Sequence, residues 1–166
     1  MESKAEQCFA CHGPNGNSAN PAVPSLAGQP GQFITTQLIM FREGRRTDPQ
    51  MSPIAKALSN AEISAFGKYF SAQQLAPPSR KIPVEIGAAG EKLTQQLNCV
   101  ACHGPALKGQ QHIPRLAGQQ ADYLRTQLRG FKAGTRFDMD GNMTAAAQPL
   151  TPADIDVLAE YLSGLQ

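Results

Sequence analysis

Apolar residues recur at three- and four-residue spacing along most of the patterned stretches of this chain. Residues 33–43 and 123–132 each carry that stripe and end at Gly44 and Gly134, which predicts two amphipathic helices. Two more helices announce their starts. Ser59-Asn60-Ala61-Glu62 has the form of a capping box, and Thr151-Pro152-Ala153-Asp154 offers an N-cap, a proline at the first helical position and an acidic third residue. Residues 86–98 are expected to form one helix running into Cys99. No segment alternates convincingly as a strand, so the predicted class is all-α.

The same pattern occurs twice, at an offset of 90 to 92 residues. Cys8-Phe9-Ala10-Cys11-His12-Gly13-Pro14 returns as Cys99-Val100-Ala101-Cys102-His103-Gly104-Pro105. Pro24-Ser25-Leu26-Ala27-Gly28-Gln29 returns as Pro114-Arg115-Leu116-Ala117-Gly118-Gln119, and Arg46 as Arg136. Met51, Leu58, Ile63 and Tyr69 find Met143, Leu150, Ile155 and Tyr161. Two tandem domains are therefore expected, 1–76 and 84–166. The proline-rich stretch 77–83 is a stiff, extended linker between them.

Composition narrows the class without naming a partner. The chain has 166 residues, 13 prolines, 15 glycines and no tryptophan, so much of it should be loop. No run reaches the length of a membrane span. The net charge of +2 gives no reason to expect nucleic acid or an anionic membrane surface.

The chemistry lies in the two Cys-x-x-Cys-His segments. Residues i, i+3 and i+4 share one face of a helix, so Cys8, Cys11 and His12 point one way, as do Cys99, Cys102 and His103. Two thiols so spaced can form thioethers to the vinyl groups of one haem, with the adjacent imidazole placed to bind iron. Disulfides would leave the paired histidines unexplained. A structural zinc would need four ligands brought together from pairs 87 residues apart. A thioredoxin-like dithiol would need a βαβ context that the pattern lacks. Two haem c groups are expected, and each would complete the core of a domain too small to bury much by itself.

A sixth ligand is nominated by position. Met1 is terminal, and Met40 sits in the apolar stripe of a helix. Met51 and Met143 lie in polar, proline- or glycine-bearing loops, each eight residues before a helix cap. They are the expected iron ligands opposite His12 and His103. Met139 competes with Met143, because 137–142 holds a two-residue insertion. Arg46 and Arg136 are either partners of haem propionates or solvated surface residues. His112, whose repeat counterpart is Ala22, reads as a surface histidine.

Each copy resembles a class I cytochrome c, and the pair resembles the di-haem cytochrome c4 family, over nearly the whole chain. The resemblance rests on the Cys-x-x-Cys-His-Gly motifs, the Pro-x-Leu-Ala-Gly-Gln segments, and the Met loop ahead of a Tyr-bearing last helix. It implies that Pro24 and Pro114 offer their carbonyls to the non-ligating nitrogens of His12 and His103. It also implies a bacterial periplasmic location. The segment Met1-Glu2-Ser3-Lys4-Ala5 has no apolar core of a signal peptide, which reads as a mature or recombinant form. The first copy has only seven residues before its first cysteine against thirteen helical ones in the second, and lacks the turn containing Gly87 and Gly90. A truncated or looser first domain is the expectation.

Function follows from coordination. Six-coordinate iron leaves no vacant site for substrate, so the expected role is outer-sphere electron transfer rather than catalysis. The expected donors are a quinol-oxidising complex or a dehydrogenase, and the expected acceptor is a terminal oxidase, with membrane association arising only through such partners. Two rivals stand beside this: a di-haem subunit of a periplasmic oxidoreductase such as a flavoprotein sulfide dehydrogenase, and a di-haem peroxidase.

Overall fold

The computed structural model describes residues 2–78 and 81–166, without the side chains of residues 2 and 3. Nine α-helices and no strand occur among the described residues, apart from one isolated antiparallel bridge between Gln110 and Ile113. Four helices form the first bundle: α1 (Glu2–His12), α2 (Gly31–Arg42), α3 (Met51–Lys56) and α4 (Asn60–Ser71). Five form the second: α5 (Val84–Gln96), α6 (Cys99–His103), α7 (Ala121–Ala133), α8 (Asn142–Ala147) and α9 (Pro152–Ser163). A single 3₁₀ turn follows each Cys-x-x-Cys-His motif, at Pro14–Gly16 and Pro105–Leu107.

The last helix of each bundle begins as its sequence announces. Ser59 accepts from the Glu62 amide while Glu62 reaches back to the Ser59 amide, and Thr151 and Asp154 repeat the exchange. Each box satisfies amide groups that a helix start otherwise leaves without partners. The apolar stripes then meet inside. Ile34, Phe66 and Phe70 are buried with Ala5 in the first core. Leu124, Phe131, Leu150, Ile155, Leu158 and Leu162 do so in the second. Met40 is buried, as its place in the stripe predicts.

Two expectations need correction. The helix expected to run unbroken into Cys99 stops at Gln96, because Asn98 adopts a left-handed conformation with φ 51°. Asparagine tolerates that region better than most residues. The break lets α5 lie along α9 while α6 carries the motif in its own direction; in the first bundle α1 runs straight through Cys8 to His12. Met51 and Met143 are not in loops either: each lies in the first turn of a six-residue helix. Such short helices carry too few residues for periodicity to reveal them.

The connector lies against both bundles. Asn17 holds the chain leaving α4 by donating to the Gln74 carbonyl and accepting from the Ala76 amide. Leu75 packs on Gly118 and Ile82 on Gly164, both in the second bundle. Ser79 and Arg80, in the middle of the predicted linker, lie outside the described residues.

Candidate haem-binding sites

Helix geometry places both thiols and the imidazole of each motif together. Cys8 and Cys99 are half-buried, Cys11 and Cys102 exposed, and all four sulfurs are free. Burial pushes the Cys8 and Cys99 thiols up from their ordinary value. Both histidines are buried, and Nδ1 of each lies 2.8 Å from a proline carbonyl: His12 from Pro24, His103 from Pro114. A carbonyl can only accept, so Nδ1 carries the hydrogen and Nε2 keeps its lone pair. Burial lowers both imidazole pKa values, against the opposing effect of the carbonyl bond. The neutral ring is the form that binds a metal.

The half-buried methionines are set by two aspartates that the sequence reading did not single out. Asp48 accepts from the amides of Gln50 and Met51. Asp138 accepts from the Met143 amide at 2.8 Å, and from the Thr144 amide and hydroxyl. The aspartates are 90 residues apart and the methionines 92, so the insertion lies between anchor and methionine and loops outward. Met139, within it, is 66% exposed. The repeat register of Asp48 and Asp138 was the available signal.

Arg46 and Arg136 are not solvated surface residues. Their guanidinium carbons stand 4.5 Å and 4.4 Å from the ring centroids of Phe41 and Phe131. Both converge where the bundles meet. Arg46 donates to Gln37 in its own bundle, and to the Tyr123 hydroxyl and Gln127 in the other. Arg136 stands beside Tyr123 as well, and its Nε is buried without a partner. Two facing cations with an orphaned N–H suit an anionic group, and haem carries two carboxylates. The thiol pairs, the oriented imidazoles and these cations therefore fit a haem in each bundle. His112 is half-buried at the turn closed by the Gln110–Ile113 bridge.

The proline loops also join the bundles, in a near-symmetrical exchange. The Gln29 side chain accepts from the Arg115 amide and donates to the Arg115 carbonyl. The Gln119 side chain does the same with the amide and carbonyl of Ser25. Both glutamines are buried. Each grips the residue that follows the opposite histidine's carbonyl partner. The loops that orient the two histidines thus stand back to back.

The cytochrome c family profile matches residues 3–76 and 87–166. A cytochrome c4 of Thiocapsa roseopersicina is 38% identical, over 99% of this chain and 90% of its own length. A thiosulfate dehydrogenase electron acceptor of Thiomonas intermedia is 37% identical, over 96% of this chain and 79% of its own length. The reduced recombinant cytochrome c4 from Pseudomonas stutzeri superposes with a TM-score of 0.92 at 31% identity, covering 99% of this chain and 96% of that one. With this likeness running through both bundles, the chain belongs to the cytochrome c4 family, di-haem c-type cytochromes that carry electrons.

Proposed function

We propose that His12 with Met51, and His103 with Met143, are the axial iron ligands of the two haems, and that the chain shuttles single electrons in the bacterial periplasm. The observation that carries this reading is the duplicated anchoring of each candidate ligand: a proline carbonyl behind each histidine and an aspartate behind each methionine. Haem, when bound, supplies the Fe(III)/Fe(II) couple. The chain's residues do the rest. Pro24 and Pro114 fix the plane of each imidazole and raise its basicity as a ligand. The methionines offer a soft, neutral thioether that favours Fe(II) and so raises the potential. Arg46 and Arg136 would hold the carboxylates of a bound haem where the bundles meet. With both axial positions taken there is no place for substrate, which suits a carrier and not a peroxidase.

The supporting division is 1–76 and 84–166, one haem in each, with 77–83 as the link. The proposed donors are a quinol-oxidising complex or a dehydrogenase, and the proposed acceptor is a terminal oxidase. No described helix is long and apolar enough to cross a membrane. The ligand assignment is tested by absorption of the ferric protein: Met51→Ala and Met143→Ala should each remove about half of the methionine–Fe(III) band. A full band in Met143→Ala with half lost in Met139→Ala would reassign the second ligand.

One observation favours a standing association with a dehydrogenase instead. Phe137, just ahead of the insertion, and Met139, within it, are 59% and 66% exposed, and a relative is named a thiosulfate dehydrogenase electron acceptor. Size-exclusion chromatography of the native periplasm separates the readings. A free shuttle runs as a small species, whereas a heteromer that persists in high salt supports the subunit reading.

A further inference from the structure

Arg115 breaks the repeat. Its counterpart in the first copy is Ser25, yet Arg115 is only 5% exposed. Its guanidinium spans the junction of the two bundles: Nη2 donates to the Ala27 carbonyl of the first at 3.0 Å, and Nη1 to the Ala117 carbonyl of the second. Its Nε is buried without a partner. Every acceptor it finds is a neutral carbonyl, and no carboxylate pairs with it among the described residues. Burial alone lowers its pKa to about 10, so the group remains a cation near neutral pH.

A buried cation that no side-chain carboxylate pairs with is costly, and a chain that needed only packing could use an apolar residue of similar size. Its position suggests the compensating use. Ala27 lies three residues beyond Pro24 and Ala117 three beyond Pro114, in the two loops whose carbonyls orient His12 and His103. The charge therefore stands between the backs of both histidine sites, in a medium that screens it poorly. With haem bound, it would add its repulsion to the more positive, oxidised state of each centre.

We propose that Arg115 is a potential-setting residue shared by both redox centres: its buried positive charge disfavours Fe(III) in each domain and holds both potentials up. The proposal rests on the reading that His12 and His103 ligate iron. Ser25, its counterpart in the first repeat, carries no charge, so this one residue stands behind both centres.

The test uses the intact di-haem protein. Arg115→Met removes the charge while keeping a long side chain. Each preparation is first checked by mass for two attached haems and by its ferrous spectrum for unchanged axial ligation. Absence of haem or of histidine ligation in the wild type would defeat the underlying reading and this one with it, whereas unchanged potentials in a variant with both haems intact defeat this one alone. Optical redox titration should then show both midpoints lowered, by roughly three- to tenfold in the Fe(II)/Fe(III) ratio at fixed ambient potential. Arg115→Lys, which keeps the charge, should stay within about twofold of wild type. The difference between Met and wild type should persist in about 1 M salt, because a buried charge is little screened. If Arg115→Met does not assemble, Arg115→Ser copies the residue of the first repeat and must show the same fall. Unchanged potentials in a variant without the charge overturn the proposal. So does a lysine variant that falls as far as methionine, or a difference that vanishes in high salt.

Discussion

The two bundles solve the same problem of filling space around a haem with opposite choices of size. In the first, Gly16 sits beside Phe70, and a Cβ on Gly16 would stand 2.8 Å from the phenylalanine ring. In the second, Leu107 takes the place of Gly16 and Leu162 that of Phe70, and both leucines are buried. Volume lost on one helix is regained on the turn. Leu107 even accepts a left-handed backbone, φ 58°, where its counterpart is a glycine at φ 80°. Burial of a leucine is worth about 1.5–3 kcal/mol, enough to offset strain of that order. The choice spreads outward. Phe70, Tyr69 and Phe9 form an aromatic cluster in the first bundle, whereas Val100, in the place of Phe9, is 48% exposed.

Helix contacts differ in the same spirit. The first bundle brings α2 and α4 together through glycines: a Cβ on Gly67 would lie 2.8 Å from the Gly31 carbonyl oxygen. The second has alanines at both places and brings a glycine close to a neighbouring helix elsewhere, at Gly90 of α5 against Tyr161 of α9. The expected looseness of the first bundle is met at one point by an ion pair, Lys4 to Glu62 at 2.7 Å, joining α1 to the start of α4.

The size exchange gives the largest expected effect. Gly16→Leu should destabilise the first bundle by about 3 kcal/mol or more, from overpacking against Phe70 and from a side chain at positive φ. Adding Phe70→Leu should recover about 1–2 kcal/mol of that loss, measured by urea unfolding as a double-mutant cycle. Strict additivity of the two changes would mean that the bundles do not trade volume at this position.

Gly90→Ala comes next. The new Cβ would fall 2.3 Å from Tyr161 Cβ, so α5 must move away from α9, at about 1–3 kcal/mol. Hydrogen exchange should quicken in α5 and α9 and stay unchanged in α2 and α4. Faster exchange in both bundles alike would contradict separate closest approaches.

Gln29→Ala and Gln119→Ala test how symmetrical the junction is. Each leaves a buried amide and carbonyl of the other bundle without partners, at about 1–3 kcal/mol. The loss of Gln119 should weaken the association at least as much, since its side-chain bonds to the Ser25 amide and carbonyl are not backed by an arginine. Denaturation followed separately for each haem should show the two transitions drawing apart. A single unaltered transition in both variants would argue against these contacts as the coupling.

The smallest effect is one of pH. Lys4 and Ser59 hold the Glu62 carboxyl down at about 2, below its ordinary 4.5. A depressed value means that the stabilisation is fully present above the ordinary value and disappears as pH falls toward 2. Asp154, in the equivalent cap, is lowered by Thr151 alone. In carboxyl chemical shifts, Lys4→Ala should move the Glu62 midpoint up and leave that of Asp154 where it is. A midpoint indifferent to Lys4 would remove the ion pair from the comparison.

The sequence by itself determined whatever depends on local pattern and on repetition. The amphipathic stripes, both capping boxes, the doubling of the motif and the residues that could attach haem all follow from neighbours close along the chain. Glycine ends α2 and α7 because the closing residues, Gly44 and Gly134, adopt positive φ, a need visible in the chain itself. Tertiary structure decided the rest. Helices α3 and α8 are too short to show periodicity and depend on Asp48 and Asp138, whose role appears only when their carboxylates close onto the methionine amides. Arg46, Arg136 and Arg115 looked alike as charged letters. Their burial came from the meeting of two bundles some 90 residues apart in sequence, and that long-range contact is what turned three cations inward from solvent.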